Sequence, residues 1–197
     1  MPSLNAFINH SAHALENFAS LTTRRILAVS LLTLGTAVGA WLVVPLPGTP
    51  VPITLQTFFV LAGAGLLGGR LSLSAQSAYL LLGGVGLPWL AGTAFGGPVL
   101  LGATGGYLLG FVLASGLIGR LLQNSSSTLR VFSALILGEA VILTSGALWL
   151  SLVMHVSLPQ AMALGVLPFL PGDVAKILAA AAAIRWLRPV AQKALTA

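Results

Sequence analysis

The chain has 197 residues, with nine Lys or Arg against three Asp or Glu, so 6% of positions are charged and 57% are hydrophobic, where a soluble domain is about 25% charged. So few charges exclude a water-soluble surface, a mean hydropathy of +1.01 excludes disorder, and a chain without Cys has no disulfide framework and no thiolate metal site or nucleophile. What remains is an integral membrane protein of one domain, whose net charge of +6 reads as membrane topology rather than nucleic-acid binding.

Taken in chain order, residues 1–22 carry Leu4, Phe7, Ile8, Leu15, Phe18 and Leu21 at helical spacing, with Asn5, His10, His13 and Glu16 between them. That pattern fits an interfacial amphipathic helix or a flexible tail. It does not fit a signal peptide, because the apolar run beyond Arg24 and Arg25 continues to full span length. Positions 26–69 and 71–119 hold no charged residue, and each run has room for two spans of about 20 residues. A fifth span fits within 131–153, interrupted only by Glu139, and a sixth within 171–188, carrying Asp173 and Lys176. No segment alternates with period two, so a barrel is excluded. The prediction is an all-α bundle of six transmembrane helices over 23–190, with a tail at 191–197.

Basic residues orient the spans. Arg24, Arg25, Arg70, Arg120, Arg130, Arg185, Arg188 and Lys193 all fall on one side of a six-span chain, and the alternate loops at 44–54, 87–100 and 154–170 hold no charged residue. By the positive-inside rule both termini are cytoplasmic. The prolines divide the other way: Pro45, Pro47, Pro50, Pro52, Pro88, Pro98, Pro159, Pro168 and Pro171 lie on the outer side. Proline fixes φ and removes an N–H, so stiff, non-helical connections are expected there, forming a cap over a pocket.

Ionisable groups within a span usually face protein, water or substrate, since each costs about 2.5–3.5 kcal/mol on insertion scales. Asp173 and Lys176 share a helix face three positions apart, and Pro171 and Gly172 mark the helix start. They read either as a self-neutralising pair or, preferably, as a ligand site. Glu139 lies near mid-membrane and is read first as packing, with a carboxylic acid bonded to a neighbouring helix, a proton-linked site or part of the pocket as the alternatives, and His155 is placed at the interface at the outer end of that helix. Three scattered His give no metal constellation, and Gly105-Gly106 lacks the Lys-Ser/Thr of a P-loop, so no cofactor and no ATPase are expected.

The fourth helix carries a stripe of small residues, Gly102, Gly106, Gly110 and Ala114, and the first carries Gly35, Thr36, Gly39 and Ala40. Such faces let membrane helices approach closely. Packing within the bundle is the usual reading of both faces, and docking to a membrane partner is the alternative, stronger for the first helix. Phe58, Phe59, Trp89, Phe95 and Tyr107 flank the outer loops, and some of them should line a mostly apolar pocket.

Three separated stretches, Val44-Pro-Leu-Pro-Gly-Thr-Pro-Val-Pro-Ile-Thr-Leu-Gln-Thr57, Leu100-Leu-Gly-Ala-Thr-Gly-Gly-Tyr-Leu-Leu-Gly-Phe111 and Leu170-Pro-Gly-Asp-Val-Ala-Lys176, closely resemble BioY, the biotin-specific S components of energy-coupling-factor transporters. The resemblance spans about residues 25–190. It implies a biotin-binding subunit for uptake in the bacterial cytoplasmic membrane, not an enzyme, paired with a transmembrane coupling subunit and two ATPases. It further implies that Asp173, Lys176 and Tyr107 belong to the biotin site and that residues 45–57 cap it. Thr104, Gln56 and Trp89 complete the expected ligand set. One departure stands out: where S components show an Ala-xxx-Ala docking face, this chain reads Ala28-Val-Ser-Leu-Leu32, and its small pairs come later. Asp173 can accept from the two ureido N–H groups of biotin, while Lys176 can donate to the ureido oxygen or pair with the carboxylate. The rival readings are an S component for another vitamin, an intramembrane lipid enzyme using Glu139, His155 and Asp173, and a purely structural subunit.

Overall fold

The computed structural model describes residues 4–91, 96–124 and 127–196, with side chains from residue 20 onward. Its elements run α1 (Leu4–Trp41), β1 (Val43–Val44), β2 (Ile53–Thr54), α2 (Gln56–Leu67), α3 (Gly69–Gly84), α4 (Gly97–Leu101), α5 (Gly105–Leu121), α6 (Thr128–Met154), α7 (Leu158–Gly165) and α8 (Leu170–Thr196). The fold is all-α apart from one two-residue antiparallel hairpin, in which Val43 pairs with Thr54 and Val44 with Ile53.

The shortest of the main helices sits at the centre. Val60 to Gly65 of α2 are all buried, as expected of a helix that is apolar on every face, and α1, α3, α5 and α8 pack around it. Small residues allow this crowding. On α5, a Cβ at Gly106 would run into Trp149 and the Ser145 carbonyl of α6, and one at Gly110 would lie 2.9 Å from the Ile142 Cα. The stripe on this helix therefore serves the α5–α6 seam, as its spacing predicts. Gly102, however, precedes the helix and caps α4 instead, with its carbonyl accepting from Trp149 Nε1 at 2.9 Å.

Polar residues inside the bundle are paired across helices. Thr33 Oγ1 donates toward the Ala75 carbonyl (3.0 Å), Gln76 Nε2 donates to Thr36 Oγ1 (3.1 Å), and Ser72 Oγ donates to the Ser115 carbonyl (3.3 Å). The outer surface is the reverse: Ile26, Leu27, Leu31, Leu34 and Val38 on α1 and Ile136, Leu137, Leu148 and Leu152 on α6 are all exposed. So large an exposed apolar surface is that of a membrane protein.

Among the described residues, Ser20–Trp41 and Thr128–Met154 are long and apolar enough to cross a membrane. The pair Leu158–Gly165 and Leu170–Thr196, bent by 58°, makes a third if counted as one span. Helix length and composition thus mark two such spans among the described residues, or three with the bent pair. At 12 and 17 residues α2 and α5 are apolar but short, about 18 and 26 Å at 1.5 Å per residue. A charge-free run does not show where helix gives way to loop. The prolines supply part of the reason, and they also correct the expectation of non-helical connections. Pro98 and Pro159 stand in the first turns of α4 and α7, where their missing N–H is no loss, so both connections contain a short helix. A capping box between Ser157 and Gln160 closes the start of α7. At the N-terminal side α1 runs unbroken from Leu4 to Trp41.

The bundle has two chemically different ends. At one, Arg24 reaches the Ala194 carbonyl, Arg188 donates to the Leu122 carbonyl, Arg185 meets Thr128 and Gly69 lies against Gly119. Arg70, Arg120 and Arg130 are thereby gathered beside them. At the other end are the hairpin, the Trp41–Pro88 hydrogen bond (3.0 Å) and the start of α8.

Candidate ligand-binding site

The end away from the arginines holds a cavity of about 50 Å³, partly open to the outside. Each wall comes from a different part of the chain. Val51, Pro52 and Thr54 of the proline-rich hairpin form one side, Gln56 and Thr57 open α2, and Thr104, Tyr107, Leu108 and Phe111 come from the start of α5. Glu139, Ile142 and Leu143 face in from α6, and Phe169, Asp173 and Lys176 from the start of α8.

Asp173 and Lys176 sit side by side, with Lys176 Nζ 3.0 Å from Asp173 Oδ1 and side-chain exposures of 11% for the lysine and 5% for the aspartate. Helical geometry at a spacing of three brings them together, and the positive end of α8 favours the aspartate in its first turn. Asp173 Oδ2, Glu139 Oε1 and Oε2 and Thr57 Oγ1 meet no conventional hydrogen-bond partner among the described residues, while the Asp173 and Glu139 carboxyls are close enough to share a hydrogen bond when one is protonated. Buried polar atoms are normally satisfied, so unpaired acceptors converging on one cavity mark it as a place for a hydrogen-bonding ligand. Glu139 lies within electrostatic reach of both Asp173 and Lys176. Its place is the cavity wall rather than the bundle packing assigned from sequence.

Two tyrosines hold the walls in position. The Tyr107 hydroxyl donates to the Gly165 carbonyl at 2.6 Å, its ring lies 6.3 Å from that of Phe169, and Gly146 closes on its other side. Its ring faces the cavity while its hydroxyl ties α5 to α7. Tyr79, buried in α3, receives a hydrogen bond from Gln56 Nε2 (2.7 Å) and donates to the Trp89 carbonyl (2.7 Å). Gln56 Oε1 in turn accepts from Thr54 Oγ1 (2.9 Å). This chain fastens the hairpin and the loop after α3 to the bundle.

Of the residues selected from sequence, Asp173, Lys176, Tyr107, Thr104 and Gln56 thus meet in one cavity. Trp89 does not line it among the described residues: its side chain packs on the core, and its backbone carbonyl anchors Tyr79. Phe58 and Phe59 stack edge to face at 5.2 Å away from the cavity, Phe95 lies outside the described residues, and His155 is exposed as the left-handed cap of α6 (φ 54°).

The small residues expected to dock a partner are turned inward. Thr36 and Ala40 are fully buried, and a Cβ at Gly35 or Gly39 would meet Phe59 of α2. Smallness here serves the close approach of α1 to α2 and α3. Phe111 and Phe169 were not singled out by sequence, and Thr57 entered only as the end of the capping stretch 45–57. Phe169 could have been, since it stands four residues before Asp173 and so shares its face.

Comparison with known proteins accords with this geometry. The chain is similar to the biotin transporter BioY of Thermotoga maritima, at 37% identity over 80% of this chain and 92% of the relative. It is also similar to the biotin transporter BioY2 of Lactococcus lactis subsp. cremoris, at 36% identity over 77% of this chain and 85% of that one. A crystal structure of the S-component for biotin from an ECF-type ABC transporter superposes with a TM-score of 0.80 at 28% identity, covering 85% of this chain and 92% of the other. The sequence profile of the BioY family matches residues 11–193, a stretch that takes in every wall of the cavity, and the chain belongs to the BioY family.

Proposed function

We propose that this protein binds biotin in the cavity between the hairpin and the start of α8 and serves as the substrate-binding subunit for its uptake. It is a transporter, not an enzyme. The observation that carries the reading is the set of unpaired buried acceptors on Thr57, Glu139 and Asp173 beside the Lys176 ammonium. Biotin presents two ureido N–H donors for such acceptors and two groups, the ureido oxygen and the carboxylate, for a lysine. Its apolar ring and chain suit Tyr107, Leu108, Phe111, Ile142 and Phe169. The names of the relatives and of the superposed S-component support the same ligand.

Within this reading α1, α2, α3, α5, α6 and α8 cross the bacterial cytoplasmic membrane as a multi-pass bundle over residues 23–190. The short helices and the hairpin complete the depth where protein encloses them. The arginine end faces the cytoplasm with both termini, and the cavity opens outward. Energy for uptake comes from an ECF coupling subunit and two ATPases, because the chain carries no P-loop of its own. The direct experiment is mass spectrometry of small molecules released from gently purified protein, followed by calorimetric titration. Release of biotin and saturable binding are expected. Release of a different vitamin, with no heat from added biotin, would reassign the ligand.

A further inference from the structure

We propose that the groove at the arginine end, between the start of α6 and the face of α8 from Leu178 to Gln192, is a binding site for an acidic phospholipid. The groove is large, about 800 Å³ and open to one side, and it is graded along its length. Val131, Phe132, Leu178 and Ala182 line the part nearer the bundle centre, and Arg185, Arg188 and Gln192 the part nearer the end. Leu178, Ala182, Arg185 and Gln192 recur every three, four or seven residues, which sets them on one face of α8. An apolar wall that ends in cations matches a lipid whose acyl chains lie inward and whose phosphate lies at the membrane boundary. Trp186, 78% exposed beside the arginines, has the side chain that favours that boundary.

The charges are uncompensated. Arg188 is only 7% exposed, yet its Nη1 is buried without a hydrogen-bond partner among the described residues. Its other nitrogens are held by the Leu122 carbonyl and, with the Gln192 amide turned, by the Gln192 oxygen. Arg185 makes one long contact, 3.5 Å, to Thr128 Oγ1. Neither has an acidic neighbour: Glu139 and Asp173 belong to the cavity at the opposite end, and among the described side chains there is no third carboxylate. A buried guanidinium with a spare N–H and no counter-ion is poised for an anion. The N-terminus of α6, a 27-residue helix beginning at Thr128 on the groove wall, adds its positive end. Basic pockets between membrane helices on the cytoplasmic side are suited to acidic headgroups. A free phosphate would use the arginines but not the apolar wall, so the occupant is a phospholipid.

The test is native mass spectrometry of the purified full chain equilibrated with mixed phosphatidylglycerol and phosphatidylcholine, with fold checked by helical content and monodispersity. The wild type should retain phosphatidylglycerol at least fivefold over phosphatidylcholine, and Arg185→Gln/Arg188→Gln should abolish that preference while Arg188→Lys keeps most of it. Should the double variant fail to fold, Arg185→Gln alone, at an exposed position, should lower the preference at least twofold. Equal retention of the two lipids by the wild type, or an unchanged preference in folded variants, would overturn the proposal. So would displacement of the lipid by millimolar inorganic phosphate, which would show a free-anion site. None of these readings depends on what fills the cavity at the other end.

Discussion

At the scale of single residues, the proposed site is set by an imbalance: Asp173 and Glu139 face one cation, Lys176, in a common cavity. Removing Lys176 leaves the buried aspartate unpaired. Breaking a buried pair in this way costs about 3–5 kcal/mol, equivalent to roughly two to four orders of magnitude if all of it falls on affinity. Lys176→Ala should therefore abolish biotin binding in calorimetry, and Asp173→Ala should weaken it nearly as much. Asp173→Asn keeps shape and an acceptor and should be milder. A folded double variant, Asp173→Ala/Lys176→Ala, that binds biotin normally would end the assignment. Glu139→Gln retains size and one acceptor, so a loss of about tenfold, near 1.4 kcal/mol, is expected from one weakened hydrogen bond. Unchanged affinity there would return Glu139 to a packing role. Asp173 and Lys176 were legible in the sequence because their pairing is local, three positions along one helix. Glu139 was visible as a charge in a span, but the face it presents depends on how α6 meets α8, and no local pattern encodes that. Thr57 and Phe111 carry no signal that separates a cavity wall from ordinary core.

At the scale of elements, α1 shows how one pattern serves two ends. Small residues at 35, 36, 39 and 40 look like a docking face, and the same residues are what a close helix crossing inside the bundle requires. Choosing between them needs the third dimension. A Cβ at Gly39 lies 2.9 Å from the Phe59 ring and 3.0 Å from the Gln56 amide, and overpacking of that kind costs about 1–3 kcal/mol. Gly39→Leu should lower the unfolding temperature in detergent and weaken biotin binding with it, because Gln56 begins the cavity wall. Leu34→Ala, on the exposed face of α1, should leave both within about 0.5 kcal/mol. Loss of partner assembly by Gly39→Leu with stability and biotin binding intact would reverse this assignment and restore the docking face. The helices themselves were legible as charge-free runs, whereas their lengths were not. Leu55 and Gly68, which bound α2, lie inside one uninterrupted charge-free run.

At the scale of the whole molecule, the same few charges that make the chain a membrane protein also orient it. The arginines gather at one end through contacts between distant segments, Arg24 with Ala194 and Arg188 with Leu122, while the hairpin and the start of α8 close the other. Moving an arginine to mid-membrane costs about 2.5–3.5 kcal/mol on insertion scales, and several such residues must cross together if the bundle inverts. One orientation should therefore dominate, with the arginine end cytoplasmic. Because the chain has no Cys, single cysteines report this directly. Pro47→Cys in the hairpin loop and Asn124→Cys beyond α5 are both at exposed positions and at opposite ends. A membrane-impermeant maleimide applied to intact cells should label the first and reach the second only after the membrane is opened. Labelling of Asn124→Cys in intact cells, with Pro47→Cys protected, would invert the bundle and direct the biotin cavity toward the cytoplasm, an arrangement incompatible with uptake from outside.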